Sequence, residues 1–427
     1  MGFQKFDSFS GGLGFLFVFI LGFVLSCISF LGVWLVGSVY CVESGIFVLD
    51  SVGFYLSLLS FFLGVSLLYG LGGLSFISKV MLLVSVFFSV LCYCCIHALW
   101  FWVFYEMSIL PLLFLLIVES PYSERFIASW YLLGYVVLTS LPMLLCIFYG
   151  AALSGGYYLQ SWSSLISGGC GFMVFLLLSF MFITKIPLPP FHVWLPIVHA
   201  EASSPVSMCL SGYIMKLGLL GVCRFSFYIL SDYVFSFWYV VLCLGFSVLF
   251  FMSASRELDG KRWLAFLSLS HISISSLCLC VSSYDVASVS FLYCLGHGLS
   301  AGVTFLLLWL VYEVSGSRNW EILKYCLSSS LLLRVLSVSC MCTVASIPPM
   351  VQFFSEVLIL CEGGYVSVVV GVLMFLYLFM SGLIPMFLVG SLLSRHYSIS
   401  FGVGSVVSMS CGVVFLVVWC YILFLVF

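Results

Sequence analysis

Long apolar runs, cut by short polar or glycine-rich joints, recur along the whole chain. Each is 18 or more residues long, enough for a helix to cross a hydrocarbon core about 30 Å thick. Backbone groups in lipid must pair internally, and runs of this length do so as helices. The pattern predicts thirteen spans, at 12–37, 45–72, 77–98, 99–118, 127–152, 171–198, 203–224, 233–253, 263–281, 286–312, 329–361, 364–390 and 402–426. The expected fold class is therefore an all-α polytopic membrane protein of about 13 transmembrane helices.

Two spans are interrupted. Pro187, Pro189 and Pro190 fall inside the sixth, and Pro348 and Pro349 inside the eleventh. Proline removes a backbone donor and clashes with the preceding turn. The two breaks lie five spans apart, an odd number, so the broken helices enter from opposite sides. Spans three to seven and eight to twelve then read as two inverted five-helix repeats, each with one discontinuous helix. Paired interruptions at matching positions of inverted halves point to an ion path. The expected segments are 1–75 (N-terminal spans), 76–225 (first repeat), 233–390 (second repeat) and 391–427 (last span).

Composition agrees with this reading. The chain is 64% hydrophobic and 7% charged, against about 25% charged residues in soluble domains. Its net charge of −2 and lack of a basic tail give no nucleic-acid signature. No cleavable leader is expected, because the first apolar run is too long for a signal peptide. The 19 cysteines are scattered, mostly within apolar runs, where Cys acts as a small hydrophobe. Cys92 and Cys95 form a C-x-x-C but lack a second ligand pair, so no metal site is expected. Nor is there a glycine-rich nucleotide fingerprint, a phosphate loop or an iron–sulfur cysteine cluster; no redox cofactor is expected in this chain.

The basic residues test the map. Lys5, Lys79, Arg125, Arg256, Lys261, Arg262, Arg318, Lys324, Arg334 and Arg395 all fall on one side of it, and Arg224, near Asp232, on the other. The positive-inside rule then puts the N-terminus inside and the C-terminus outside.

Four charges remain within spans: Glu106, Lys185, Lys216 and Glu356. Each costs about 2.5–3.5 kcal/mol at the bilayer centre. Together that is on the order of 10 kcal/mol, comparable to a whole protein's stability of about 5–15 kcal/mol. They must be paired, hydrated or neutralised. His271 and His297 lie near the middles of two further spans, and imidazole relays protons near neutral pH. Burial disfavours the charged form of any such group, so the set reads as a file of proton-exchanging sites. Glu201, His192 and His199 lie at the end of the first broken span, either lining an entry or capping helices.

These residues carry a resemblance. "KIPLPPFHVWLPIVHAEASSPVSMCLSGYIMKLGLLGVCRF", "FYEMSILP", "ERFIASWYLLGYVVLTSLPML", "LDGKRWLAFLSLSH", "LGHGLSAGVTFLLLWLVYE" and "IPPMVQFFSEV" resemble, in unbroken order over roughly residues 99–360, the antiporter-like membrane subunits of respiratory complex I. Ser203 and Ser204 depart from that family's pattern by standing between Glu201-Ala202 and Pro205. The family usually has fourteen core helices with its Glu helix fifth, whereas Glu106 falls in the fourth predicted span. The resemblance implies a proton-translocating subunit of an NADH:ubiquinone oxidoreductase. Glu106 and Lys185 would be its coupled ion pair, Lys216 the central relay, His297 and His271 the bridge, and Glu356 the terminal exchange site. NADH, FMN, iron–sulfur clusters and ubiquinone would belong to partner subunits. The implied partners are other membrane-arm subunits, including antiporter-like neighbours, and membrane lipids. The implied location is the mitochondrial inner membrane, with the N-terminus in the matrix and the gene in the organelle. Alternatives are an Mrp-type cation/proton antiporter subunit and a purely structural membrane-arm subunit.

Overall fold

The structure, a computed structural model, describes residues 42–70, 73–162, 169–226, 229, 233–281, 284–327, 331–364, 367–394 and 406–425. The first predicted span, 12–37, lies outside the described residues, as do Lys5, Asp232 and Arg395.

The chain is mostly helical. Nine helices among the described residues are long and apolar enough to cross a membrane, and Gly169–Lys185, Leu331–Val344 and Met409–Ile422 are shorter apolar helices. In order they are α1 (Ser51–Gly70), α2 (Phe76–Cys94), α3 (Ala98–Glu119), α4 (Arg125–Leu132), α5 (Ser140–Ser154), α6 (Gly169–Lys185), α7 (Trp194–Glu201), α8 (Ser204–Cys209), α9 (Met215–Ser226), α10 (Phe237–Ala254), α11 (Gly260–Val281), α12 (Tyr284–Ser315), α13 (Trp320–Leu327), α14 (Leu331–Val344), α15 (Val351–Gly364), α16 (Val368–Leu393) and α17 (Val406–Ile422). Single π-helical turns, Leu133–Val137 and Leu210–Ile214, join α4 to α5 and α8 to α9.

Two features correct the sequence reading. The second span was expected from residue 45, but β1 (Val42–Ser44) and β2 (Phe47–Leu49) form an antiparallel hairpin there. Gly45, at φ +60°, supplies the left-handed turn, which glycine adopts without penalty. Asp50 then caps the helix, its Oδ1 accepting from the Gly53 N–H at 2.8 Å. The helix α13 was read as part of a loop. It is a short helix with Glu321 in its first turn and Lys324 in its last, the arrangement its dipole favours.

Both predicted breaks are present. After α6 the chain is irregular through residues 186–193 before α7 resumes, and after α14 it is irregular through 345–350 before α15. Carbonyls left without helical partners where the helix breaks find side-chain donors. Trp194 Nε1 donates to the Thr184 carbonyl at 3.2 Å, and the Tyr239 hydroxyl to that of Pro189 at 2.8 Å. This is how broken backbone survives inside a membrane protein.

The long helix α12 is the hub, packing against α1, α8, α9's leading π-turn, α11 and α13–α15 as well as α17. Glycines make that possible. A Cβ on Gly298 would fall 2.6 Å from Leu59 and 3.0 Å from the Gly212 carbonyl; one on Gly302 would fall 2.4 Å from Leu63. The pair forms a small-xxx-small stripe into which α1 fits, the close helix packing that lipid favours. The windows of Ser204–Ser226 and Ser288–Ser315 are fully buried, but only a third of those in Arg125–Ser154 and Val368–Leu393 is. The former are interior helices and the latter border the bilayer or other chains.

The two ends are tied differently. At one, Arg224 pairs with Asp50 (2.8 Å) and donates to the Tyr93 carbonyl at 3.1 Å. Asp50 stands 174 positions away from it in the sequence. At the other, Arg318 pairs with Asp259 at 3.4 Å and lies 4.1 Å over the Tyr122 ring. Arg318 also donates to the Ala200 carbonyl, and Lys261 to that of Ala202 at 2.7 Å. Two cations therefore close the C-terminus of α7, where the helix dipole is negative.

Substituting Gly298→Leu should abolish accumulation of the folded chain, because Leu59 and the Gly212 carbonyl leave no room. Gly371→Leu on α16, with nothing within 4 Å of the new Cβ, should leave it within about twofold of normal. Immunoblots of solubilised membranes would check this, and equal levels of both would contradict the packing described.

Candidate functional site

The six residues singled out from sequence are all buried, on α3, α6, α9, α11, α12 and α15. The helices bring them together in two clusters with Lys216 between.

The first cluster joins α3 to the end of α6. Glu106 and Lys185 interact electrostatically, and Ser140 at the start of α5 is in hydrogen-bonding reach of the carboxylate. They do not touch directly: Glu106 Oε1 and Lys185 Nζ each lack a hydrogen-bond partner. The Nζ sits instead 4.2 Å from the centre of the Tyr105 ring. Lys185 is the last residue before the proline break, so its position is set by where the helix must stop.

Lys216 is fully buried, two residues beyond the π-turn Leu210–Ile214. A π-turn widens the helix and loosens its carbonyls from the i→i+4 ladder. Lys216 Nζ takes one of them, donating to the Ser211 carbonyl at 2.5 Å. The same turn is tethered towards α3, since Tyr213 shares a 2.7 Å hydrogen bond with Ser85, whose hydroxyl also donates to the Ser108 carbonyl. The charge of Lys216 acts on both His271 and His297, and also on His199.

The second cluster is continuous. The His271 and His297 rings lie 5.2 Å apart. His271 Nδ1 meets the Tyr377 hydroxyl at 2.5 Å and lies 3.8 Å from Glu356 Oε1. Glu356 accepts from Ser346 (2.7 Å), Gln352 (3.2 Å) and Tyr377 (3.3 Å). Gln352 accepts in turn from Ser300 at 2.9 Å. Tyr293 donates to the His271 carbonyl at 3.0 Å and stacks on His297. A buried carboxylate needs this many donors to offset its lost hydration. Both ring nitrogens of His297 and the Nε2 of His271 lack partners, leaving them open to bind or pass a proton.

Sequence reading did not single out Tyr377, Tyr293, Gln352, Ser300, Ser346 or Tyr105. Gln352 carried a signal: it stands four residues before Glu356, on the same helix face. Tyr377, a single hydroxyl within the apolar run "LMFLYLFM", carried a weaker one. Of the three residues read as entry or caps, His199 stacks on Phe305 at 5.2 Å with both nitrogens unpartnered, His192 lies against Phe246 and Phe250, and the Glu201 backbone carbonyl accepts from Ser120.

The family model described as "NADH:quinone oxidoreductase/Mrp antiporter, TM" matches residues 95–383. The chain belongs to this family. Both clusters lie within the matched stretch. The NADH-ubiquinone oxidoreductase chain 4 of Ceratitis capitata is 32% identical over 286 residues, 65% of this chain and 62% of that one. That of Caenorhabditis elegans is 28% identical over 303 residues, 69% of this chain and 70% of that one. The match with the Ceratitis relative thus spans less than two thirds of its length. As an NADH:quinone oxidoreductase/Mrp antiporter family member, the chain also shares its fold with solved structures. A chain of respiratory complex I from Thermus thermophilus superposes with TM-score 0.76 at 21% identity, covering 92% of this chain and 88% of that one. A chain of the Mrp complex from Dietzia sp. DQ12-45-1b gives 0.77 at 17% identity, with 97% and 90% covered.

Tyr377→Phe should lower thermal stability by about 1–3 kcal/mol, because it strips a partner from both His271 and Glu356. Adding Glu356→Gln should cost little more, since contacting residues are not additive. Thermal unfolding of the detergent-solubilised protein would check this, and a cost under about 0.5 kcal/mol for Tyr377→Phe would contradict the contact.

Proposed function

We propose that this chain is a proton-translocating membrane-arm subunit of an NADH:ubiquinone oxidoreductase, working in the mitochondrial inner membrane. The single observation that carries this is the burial of six titratable side chains, Glu106, Lys185, Lys216, His271, His297 and Glu356, with Glu106 acting on Lys185 and Lys216 acting on both histidines; we read them as one file. Structural ionisable groups at membrane depth are rare, and functional ones are paired in this manner. Relatives named for NADH-ubiquinone oxidoreductase, at 28–34% identity, favour the redox-driven form.

The steps follow from Coulomb's law, which is strong where the dielectric is low. Quinone reduction in partner subunits withdraws the Glu106 charge from Lys185. The ammonium then loses the attraction that held it and passes its proton towards Lys216. From Lys216 the proton moves to His297 and His271, whose open nitrogens accept it, and through the Tyr377 contact to Glu356. Glu356 releases it to the far side. The redox cofactors belong to partner subunits on this reading, and this chain contributes only proton-carrying side chains. Its partners are other membrane-arm subunits, antiporter-like neighbours among them, and lipids on the exposed faces.

The same reading takes the fold as thirteen spans with two inverted five-helix repeats, 76–225 and 233–390, each carrying its broken helix fourth. Support comes from the two breaks, after Lys185 and before Glu356, each beside a charge of the file. The N-terminus is taken to lie in the matrix. The gathering of Arg318, Lys261 and Tyr122 at one end, with Arg224 at the other, supports that direction.

An Mrp-type cation/proton antiporter is the second reading, favoured by the equally good superposition on the Mrp complex chain. NADH-driven proton pumping and NADH–quinone electron transfer, measured together in membranes, separate the readings. Lys185→Ala should reduce both at least tenfold, and Lys216→Met should do the same to pumping. Unchanged pumping in both variants would leave only a structural role. Proton flux that follows a sodium gradient without NADH would favour the antiporter.

A further inference from the structure

Lys185 has an aromatic neighbour that the proton path does not use. Its Nζ is 2% exposed with its residue, makes no hydrogen bond, and stands over the face of the Tyr105 ring at 4.2 Å. An ammonium over an aromatic face is attracted by the ring's quadrupole, most strongly where water is excluded. Tyr105 is itself completely buried and its hydroxyl has no partner, so the hydroxyl does not explain the residue. The ring, by contrast, is held in place. Phe101 stacks on it at 6.4 Å and Phe182 meets it edge-on at 6.4 Å. Phe182 is in turn wedged against Gly221, where an added Cβ would overlap its ring. The ring plane is therefore fixed while the lysine side chain above it is long and flexible.

We propose that Tyr105 is a positioning residue for Lys185, its ring face holding the ammonium at the station it occupies when separated from Glu106. This rests on the proton-translocation reading and adds a second seat to it. Glu106 and Tyr105 are adjacent in sequence, so consecutive residues of α3 offer one lysine a full charge and a ring face. A lysine that left Glu106 for bare hydrocarbon would have no partner; the ring lowers that cost without the strength of an ion pair, so the proton remains transferable.

The test uses the assembled complex with Tyr105→Phe, Tyr105→Trp and Tyr105→Leu, each alone and combined with Lys185→Met. NADH-driven pumping should stay within about twofold for Phe and Trp, which keep a ring face, and fall roughly tenfold for Leu. The midpoint of thermal inactivation should drop for Tyr105→Leu relative to Tyr105→Phe when residue 185 is lysine, and the two should coincide in the Lys185→Met background. Pumping in Tyr105→Leu equal to that in Tyr105→Phe, or a Leu defect just as large with Lys185→Met, would make the ring a packing element and overturn the proposal. Failure of Tyr105→Leu to assemble even with Lys185→Met would do the same. The stability coupling is separable from the transport reading. Coupling present while Lys185→Met pumps normally would sink proton translocation but leave this contact standing. Coupling absent while Lys185→Met stops pumping would sink this inference alone.

Discussion

The buried charges among the described residues are arranged around the cost of holding charge in a medium that cannot solvate it. A buried ion loses several kcal/mol of hydration and recovers it only through well-placed partners. Glu356 has three donors around its carboxylate. Lys216 has a carbonyl released by a π-turn, and Lys185 an aromatic face. The solutions differ in strength. The glutamate is held by a network, but the two lysines have one contact each. Among the charged groups on α6, α9 and α15, the lysines are the lightly held members and Glu356 the firmly held one.

The backbone irregularities belong to the same account. A regular helix offers no spare acceptor or donor in its interior. Each of the three charged stations on α6, α9 and α15 sits within about two turns of an interruption: a proline break after Lys185, a π-turn before Lys216, and a proline break before Glu356. The second break contributes Ser346 directly to the glutamate.

Much of this was legible from the residues. The apolar helices among the described residues followed from hydrophobic run length, and the breaks from proline chemistry, because both are local properties. The six buried titratable residues stood out because charge is so scarce in this chain. What could not be read were partners set by tertiary packing. Tyr377 and Tyr105 looked like any aromatic in an apolar run, and nothing local distinguishes a tyrosine that meets a histidine from one that meets a leucine. Asp50 and Arg224, 174 positions apart, pair only through folding. The hairpin before α1 was lost to the same apolar signal that predicted the helix, since short apolar strands and helix ends read alike.

The glycines around His297 carry one more consequence. Gly296 and Gly298 flank it and Gly302 follows a turn later, and at each the neighbouring chain has moved into the space a side chain would fill, including the Gln352 backbone beside Gly296. A helix seated this tightly on several sides has no slack to slide or tilt. His297 is thereby held at a fixed height, its ring packed between Tyr293 and His271. The proline breaks after Lys185 and before Glu356 leave those stretches of backbone outside any regular helix, so α12 is the most tightly seated helix beside them.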